Sequence, residues 1–193
     1  VGSSNLGVSD HGIPSIAMYG SGNPVISFQK DVSFAFPSAL KVMSFDGTNW
    51  SVIDSNVADT TVSHAHMVVD KDDNIWVGYV LDNDSLFVKK YNGTQWDVVG
   101  TPKANAYRSF LHTNPEGDLW LRMRRKANQN EWLFISYDSM GDQWDAMPSP
   151  NSNFATLGEV VNFDSWNVEF NTVDSSWYAG FITNVDSKNF FKR

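Results

Sequence analysis

Apolar and polar positions alternate with a period of two along most of the chain, and short apolar runs are separated by clusters of Gly, Asn, Asp and Ser. Clear runs occupy residues 24–28, 75–79 and 119–123. This pattern is typical of β-strands joined by turns, whereas no segment shows the 3.6-residue period of a long amphipathic helix. The pattern therefore predicts an all-β protein.

The turns repeat along the chain. An aromatic residue, Asp or Asn, a Gly-containing turn and a Trp recur at 45–50, 91–96 and 137–144, so that Trp50, Trp96 and Trp144 lie 46 and 48 residues apart. A second polar turn precedes an apolar strand at 70–74 and again at 114–118. Asn-Gly and Asp-Gly are strong hairpin signals because a type I′ turn needs positive φ. Each repeat is therefore predicted to be a four-stranded antiparallel meander.

Four-stranded modules of this length are typical of the blades of a β-propeller. We predict a single β-propeller domain of about four four-stranded antiparallel blades, with repeats at approximately 3–54, 55–100, 101–150 and 151–193, the last completed by residues 1–2. A β-sandwich is the alternative, but sandwiches seldom repeat a sequence signature. The position of the repeats within the chain allows two interpretations, a closed ring or a segment of a larger propeller. It slightly favours the segment.

The Tyr/Phe-Asn/Asp-Gly-x-x-Trp hairpins resemble the repeats of bacterial secreted β-propellers. They also resemble a degenerate Asp box, the Ser-x-Asp-x-Gly-x-x-Trp hairpin of sialidase-like (BNR) propellers: segment 44–50 is one residue shorter than that pattern and segment 136–144 is one residue longer. The resemblance implies a propeller, an extracellular or cell-surface location and a structural role for the box. Sialidase activity is not implied, because that family needs an arginine triad, and three of the five arginines here crowd into 122–125.

Charge and composition narrow the partners. The chain carries 22 acidic and 14 basic residues, a net charge of −8, which disfavours nucleic acid binding. The basic group at 122–126 is interpreted as a solvated strand end. The absence of cysteine excludes disulfides and thiol catalysis. No apolar run is long enough to span a membrane, and no cofactor is predicted. The oligomeric state is not fixed by the sequence.

Aligning the repeats places Ile13, His64, Arg108 and Trp166 at equivalent positions near the start of the first strand of each repeat, the strand that lines a propeller's channel. The predicted ligand-binding set adds their neighbours and comprises His11, His64, His66, Tyr107, Arg108 and Trp166. Trp can stack on the apolar face of a sugar and Arg can pair with a carboxylate. In the alternative interpretation these side chains only cap and fill the channel.

No metal site is predicted. His64 and His66 share one face of a strand, but the sequence fixes no third ligand beside them. Segment 70–74 begins like a calcium loop, yet Ile75 stands where such a loop has Gly, so a plain turn is predicted. Segment 82–84 is interpreted as a solvated loop.

These observations favour a secreted or cell-surface, lectin-like propeller that binds carbohydrate, with a glycan as the expected partner and no catalytic residues. The first alternative is a polysaccharide-processing, lyase-like enzyme or a fragment of one. In that case Arg108 would neutralise a uronate and His64 or Tyr107 would move protons. The second alternative is a structural or protein-interaction module.

Overall fold

The computed structural model describes residues 14–30, 39–58, 60–126, 132–146, 166–171, 176–182 and 189–192. Every regular element among them is a β-strand, so the all-β prediction is confirmed. Within the described part no helix has the length and apolarity required to cross a bilayer. Residues 1–2, which the predicted fourth repeat includes, lie outside the described residues, and the repeat boundaries stay a prediction.

The strands form four antiparallel sheets, called modules 1 to 4, and in each sheet the strands pair in chain order. Module 1 contains β1 (Ser15–Met18), β2 (Pro24–Lys30), β3 (Ala39–Phe45) and β4 (Trp50–Asp54). Module 2 contains β5 (Val62–Val69), β6 (Ile75–Leu81), β7 (Leu86–Tyr91) and β8 (Trp96–Val98). Module 3 contains β9 (Ala106–Thr113), β10 (Leu119–Arg125), β11 (Trp132–Asp138) and β12 (Gln143–Ala146). Module 4 contains, in the described part, β13 (Trp166–Asn171), β14 (Ser176–Ile182) and β15 (Asn189–Lys192).

The repeated aromatic residue and Trp are cross-strand partners at the outer hairpin of each of the first three modules. Such aromatic pairs stabilise a hairpin beyond the area they bury. The turn glycines of the first two modules, Gly47 and Gly93, have φ of 97° and 94°, as the Asp-Gly and Asn-Gly signals predicted. The ring centroids lie 5.2, 5.2 and 5.1 Å apart in the pairs Phe45–Trp50, Tyr91–Trp96 and Tyr137–Trp144.

The polar turn between β5 and β6 is built around the carboxylate of Asp70. Its Oδ1 accepts the backbone N–H groups of Asp72 and Asn74, each at 2.9 Å, and its Oδ2 accepts the indole N–H of Trp76 at 2.8 Å. Burial by itself would raise the pKa of Asp70, but the hydrogen bonds from Trp76 and Asn74 hold it below its ordinary value. Segment 70–74 forms a turn, as the sequence predicts, and the chain's own N–H donors organise it around Asp70.

Successive modules pack face to face through two apolar clusters. In modules 2 and 3 the back face points to the preceding module, and in modules 1 and 2 the front face points to the following module. Val25 and Val42 on the front of module 1 belong to one cluster with Met67 and Val77 on the back of module 2. A second cluster joins the front of module 2 to the back of module 3 and includes Trp76, Val80, Val88, Leu111 and Leu121. The innermost strands follow the same order, since β1 packs on β5 and β5 on β9.

Modules 2 and 3 are also joined at their outer strands. The indole N–H of Trp144 donates to the carbonyl of Val99 at 3.0 Å, and the N–H of Gly100 donates to Asp142 Oδ1 at 2.9 Å. Gly100 has a φ of +65°, and a Cβ there would lie 2.6 Å from Trp144 Cδ1. This close approach needs glycine both for the backbone conformation and for space.

The interpretation of 122–126 as a solvated strand end is wrong for Arg122. Its side chain is only 4% exposed, and its guanidinium carbon lies 4.3 Å from the ring centroid of Phe110, its cross-strand partner. Burial lowers the pKa of Arg122 to about 10, so it stays charged at neutral pH. Arg122 lies in the middle of β10, between the buried residues Leu121 and Met123, whereas Arg125 at the strand end is exposed as expected.

Candidate functional site

A groove opens between modules 2 and 3, where their innermost strands begin. Its cavity volume is about 210 Å³. The side chains of its polar lining include those of His64, Asp82, Asp84, Tyr107, Arg108 and Lys126. The starts of β5 and β9 supply the histidine, tyrosine and arginine, the turn between β6 and β7 supplies both aspartates, and the lysine follows β10.

The β6–β7 turn is held against module 3 by hydrogen bonds. The carbonyl of Asp84 accepts the N–H of Ala106 at 2.9 Å, and its carboxylate pairs with Lys126 Nζ at 2.7 Å. The N–H of Lys126 in turn donates to the carbonyl of Asn105 at 2.8 Å. These contacts fix one carboxylate and one ammonium group at the rim of the groove.

Tyr107 lies beside two guanidinium groups. The guanidinium carbons of Arg108 and Arg124 are 5.4 and 5.6 Å from its ring centroid. Arg108 and Arg124 are direct cross-strand partners, a placement that is unfavourable for like charges. The negative face of an aromatic ring attracts such cations, so Tyr107 offsets part of this repulsion.

His64 forms the buried wall of the groove and is 4% exposed. Its Nδ1 accepts the N–H of Ser109 at 3.5 Å, which assigns the proton of the neutral ring to Nε2. Burial, followed by the charges of Arg108, His66 and Arg122, lowers the pKa of His64 to about 4. The imidazole is therefore neutral at pH 7.

A second group of side chains lies further along the inner strands. His66 is 5.4 Å from Phe110 and 6.3 Å from His112, measured between ring centroids. Burial first, and then the charge of Arg122, lowers the pKa of His66 to about 4 and that of His112 to about 3. Over the described ranges, no three His, Cys, Asp or Glu side chains come together in a way that could hold a metal ion.

The structure brings three of the predicted ligand-binding residues, His64, Tyr107 and Arg108, into the same groove. His66 is not part of the groove lining and packs against Phe110 instead. Trp166 is the first residue of β13, but its side chain is outside the described part, and His11 lies outside the described residues altogether. A role in binding stays a prediction for all six.

The sequence did not predict that Asp82, Asp84 and Lys126 line the groove. Asp82 is exposed, as the interpretation of 82–84 as a solvated loop implies, but Asp84 is half-buried and paired with Lys126. These two residues are 42 positions apart, and no local pattern links them. Only the packing of module 3 on module 2 places them together.

No protein-family model matches the sequence, and no curated protein matches it either. Similar solved structures were found. AofleA from Arthrobotrys oligospora superposes with a TM-score of 0.65 at 10% identity, over 96% of this chain and 54% of that protein. The lectin of Aleuria aurantia, described as a six-bladed β-propeller with a novel fucose recognition mode, gives 0.56 at 9% identity over 96% and 62% of the respective chains. A protein of unknown function from Dyadobacter fermentans gives 0.61 at 14% identity over 94% and 65%.

The fold is a partial β-propeller. The predicted fold class is thereby confirmed, and the modules are its blades. The chain spans less than two thirds of the length of each of these three propellers. At such low identity the likeness concerns the fold alone, so the chemistry of the propeller's groove has to be argued from its own residues.

Proposed function

We propose that this propeller binds carbohydrate without turning it over, and that the groove between modules 2 and 3 is its binding site. The observation that carries the proposal is the groove's composition, in which two carboxylates, two cations and one tyrosine line a single cavity of about 210 Å³. A similar fold in the fucose-recognising lectin of Aleuria aurantia supports the same function.

The lining matches the chemistry of a sugar. Each sugar hydroxyl is both a donor and an acceptor, so it can donate to Asp82 or Asp84 and accept from Arg108 or Lys126. Hydrogen bonds to charged groups are stronger than neutral ones, and Tyr107 adds an aromatic surface with a polar tip. The volume is below the roughly 300–1,000 Å³ of pockets for drug-sized ligands, which fits one sugar unit.

The chemistry of His64 disfavours the lyase alternative. A general base works best with a pKa near the working pH, whereas the pKa of His64 is about 4. Its imidazole is also a buried wall that accepts a backbone N–H, so at neutral pH it is a weak base. Incubation with uronate-containing polysaccharides, followed by the absorbance of the unsaturated product, tests this point directly. We expect no product.

We further propose an extracellular or cell-surface location. The support is the resemblance of the hairpin repeats to those of secreted propellers, together with the proposed ligand class, since glycans are displayed outside cells. Detection of the native protein in the secreted or surface fraction of its source cells tests the location, and confinement to the cell interior would contradict it.

A glycan array followed by titration calorimetry with the best monosaccharide tests the binding proposal. We expect binding, and we expect Arg108→Ala to weaken it by about 10–100-fold, since a hydrogen bond to a charged group contributes about 1.5–3 kcal/mol. Arg125→Ala is the matched control, because Arg125 is an exposed arginine at the end of the neighbouring strand and does not line the groove. We expect its affinity to be unchanged.

Two results would contradict the proposal. If no glycan binds, the structural or protein-interaction alternative is favoured instead. If sugar binds but Arg108→Ala and Arg125→Ala have the same affinity as the unmodified protein, carbohydrate binding stands and the groove is not the site. The melting temperatures of both variants are measured as well, to distinguish a loss of binding from a loss of folding.

A further inference from the structure

The charged side chains that line the groove are not equally available to a ligand. The ammonium of Lys126 and the carboxylate of Asp84 pair with each other at 2.7 Å, so each already has a partner. Among the residues that the structure describes, Arg108 forms no ion pair with a carboxylate and Asp82 forms none with a cation. The groove therefore presents one uncommitted guanidinium group and one uncommitted carboxylate.

These two uncommitted groups lie in different surroundings. Asp82 is exposed in the β6–β7 turn, where water solvates its carboxylate. Arg108 is half-buried near the start of β9, and its guanidinium carbon lies 5.4 Å from the ring centroid of Tyr107. A hydrogen bond to a charged group is stronger where water is partly excluded. Arg108 is therefore the stronger anchor for a ligand.

The surroundings of Arg108 are positive, although the whole chain carries a net charge of −8. Arg108 lies directly opposite Arg124, and an anion bound to Arg108 would offset the repulsion between these two like charges. After burial, the charge of Arg108 is the next largest cause that lowers the pKa of His64 in the wall of the groove. A place where a protein departs from favourable charge pairing is expected to be a functional site.

We propose that the sugar bound in this groove is acidic, and that two N–H groups of Arg108 hold its carboxylate. The inference rests on the proposed function and names the class of sugar that the groove prefers. The planar guanidinium group matches a carboxylate through two parallel hydrogen bonds, which a lysine ammonium cannot reproduce. A hexuronate also keeps ring hydroxyls, which can donate to Asp82, and an apolar ring face that can lie against Tyr107.

The neutral hexose of the same stereochemistry is the natural comparison for each hexuronate. It has the same ring hydroxyls but leaves Arg108 without an anionic partner. We expect the acid to bind about 10–100-fold more tightly than its neutral parent, the range for a hydrogen bond to a charged group. Salt screens the ion pair, so this preference should shrink as the ionic strength rises, whereas the affinity for the neutral sugar should change little.

Titration calorimetry with matched pairs of sugars tests the proposal. Glucuronate, galacturonate and mannuronate are each compared with glucose, galactose and mannose, respectively, at low and at moderate ionic strength. Any other acidic sugar that the glycan array selects is added together with its neutral counterpart. For every pair that binds, the measured quantity is the ratio of the two affinities.

Arg108→Lys separates the geometry of the guanidinium group from its charge. Lysine keeps the positive charge but cannot form the two parallel hydrogen bonds, so we expect the preference for the acid to fall at least about threefold. Arg125→Lys is the matched control, because Arg125 is exposed and does not line the groove, and its preference should equal that of the unmodified protein. Both sugars are measured on the same variant, so the ratio does not depend on the fraction of folded protein.

The outcomes separate this inference from the proposed function. Equal affinities for an acid and its neutral parent, or binding of neutral sugars only, would overturn the inference and leave carbohydrate binding in place. A preference that is unchanged in Arg108→Lys would show that the guanidinium group does not hold the carboxylate. If no sugar binds at all, the proposed function fails and this inference fails with it.

Discussion

Three histidines on the inner strands are held as neutral side chains. The pKa values of His64 and His66 are lowered to about 4, and that of His112 to about 3. Burial is the main cause in each case, and the charges of Arg108 and Arg122 add to it for His64. At neutral pH these rings pack without a charge. In acid the histidines of the unfolded chain bind protons at a higher pH than those of the folded chain, so acid favours unfolding.

We therefore predict that stability falls between about pH 6.5 and pH 4. The pKa of His64 is about 4 in the folded protein and 6.5 ordinarily, so stability is complete above pH 6.5 and is lost progressively as the pH falls towards 4. Each pKa unit corresponds to about 1.4 kcal/mol, so His64 alone contributes about 3 kcal/mol to the loss. Urea unfolding at several pH values measures it.

His64→Gln is the comparison for this prediction, because glutamine keeps hydrogen-bonding groups but does not titrate. Its stability should depend less steeply on pH across that window. Asp70, whose pKa is held below its ordinary value of 3.8, loses its contribution to stability below the pH window of His64. Equal slopes for the two proteins between pH 6.5 and pH 4 would show that His64 is not buried as described.

Part of the groove was predictable at the scale of single residues. His64 and Arg108 occupy equivalent positions in two repeats, so aligning the repeats was enough to place both of them, with Tyr107, near the start of an inner strand. Asp84 and Lys126 could not be found this way, because a turn of one module and a strand end of the next meet only after packing. The alternation of side chains along the strand predicts the face of the sheet on which Arg122 lies, but it does not predict that Arg122 is buried there.

At the scale of the hairpin, most of the structure is local and was predictable. The aromatic-to-Trp pairs and the positive φ values of Gly47 and Gly93 involve residues within one turn, and the sequence signals for them are strong. The role of Asp70 was less visible. The sequence predicts a turn there, but not that the Trp76 indole N–H donates to the Asp70 carboxylate and so links the turn to a buried side chain of the next strand.

We predict that Asp70→Ala destabilises the protein by about 2 kcal/mol, since it leaves the buried Trp76 indole N–H and two backbone N–H groups without their acceptor. Asp72→Ala is the control in the same turn. Asp72 is exposed and its carboxylate pairs with exposed Lys71, so its loss should cost less than about 0.5 kcal/mol. Chemical denaturation of both variants measures the difference, and equal effects would argue against Asp70 as the organiser of the turn.

The whole molecule is a row of modules whose stability depends on the contacts between neighbours. The repeat predicted the modules, but it did not predict how closely they approach. Gly78 shows the reason: a Cβ at this position would lie 3.2 Å from Leu111 Cγ in the next module. Such a contact joins residues from different repeats, so neither repeat on its own contains the information that the two modules approach closely at this position.

The contribution of packing between modules to the free energy of unfolding can be measured with two equivalent residues. Leu111 is 1% exposed between modules 2 and 3, whereas Ile16, its equivalent in module 1, is 68% exposed. Leu111→Ala should cost about 3 kcal/mol, because it removes buried methyl groups and leaves a cavity. Ile16→Ala should cost less than about 0.5 kcal/mol in dilute solution. Urea unfolding of both variants at low protein concentration makes the comparison.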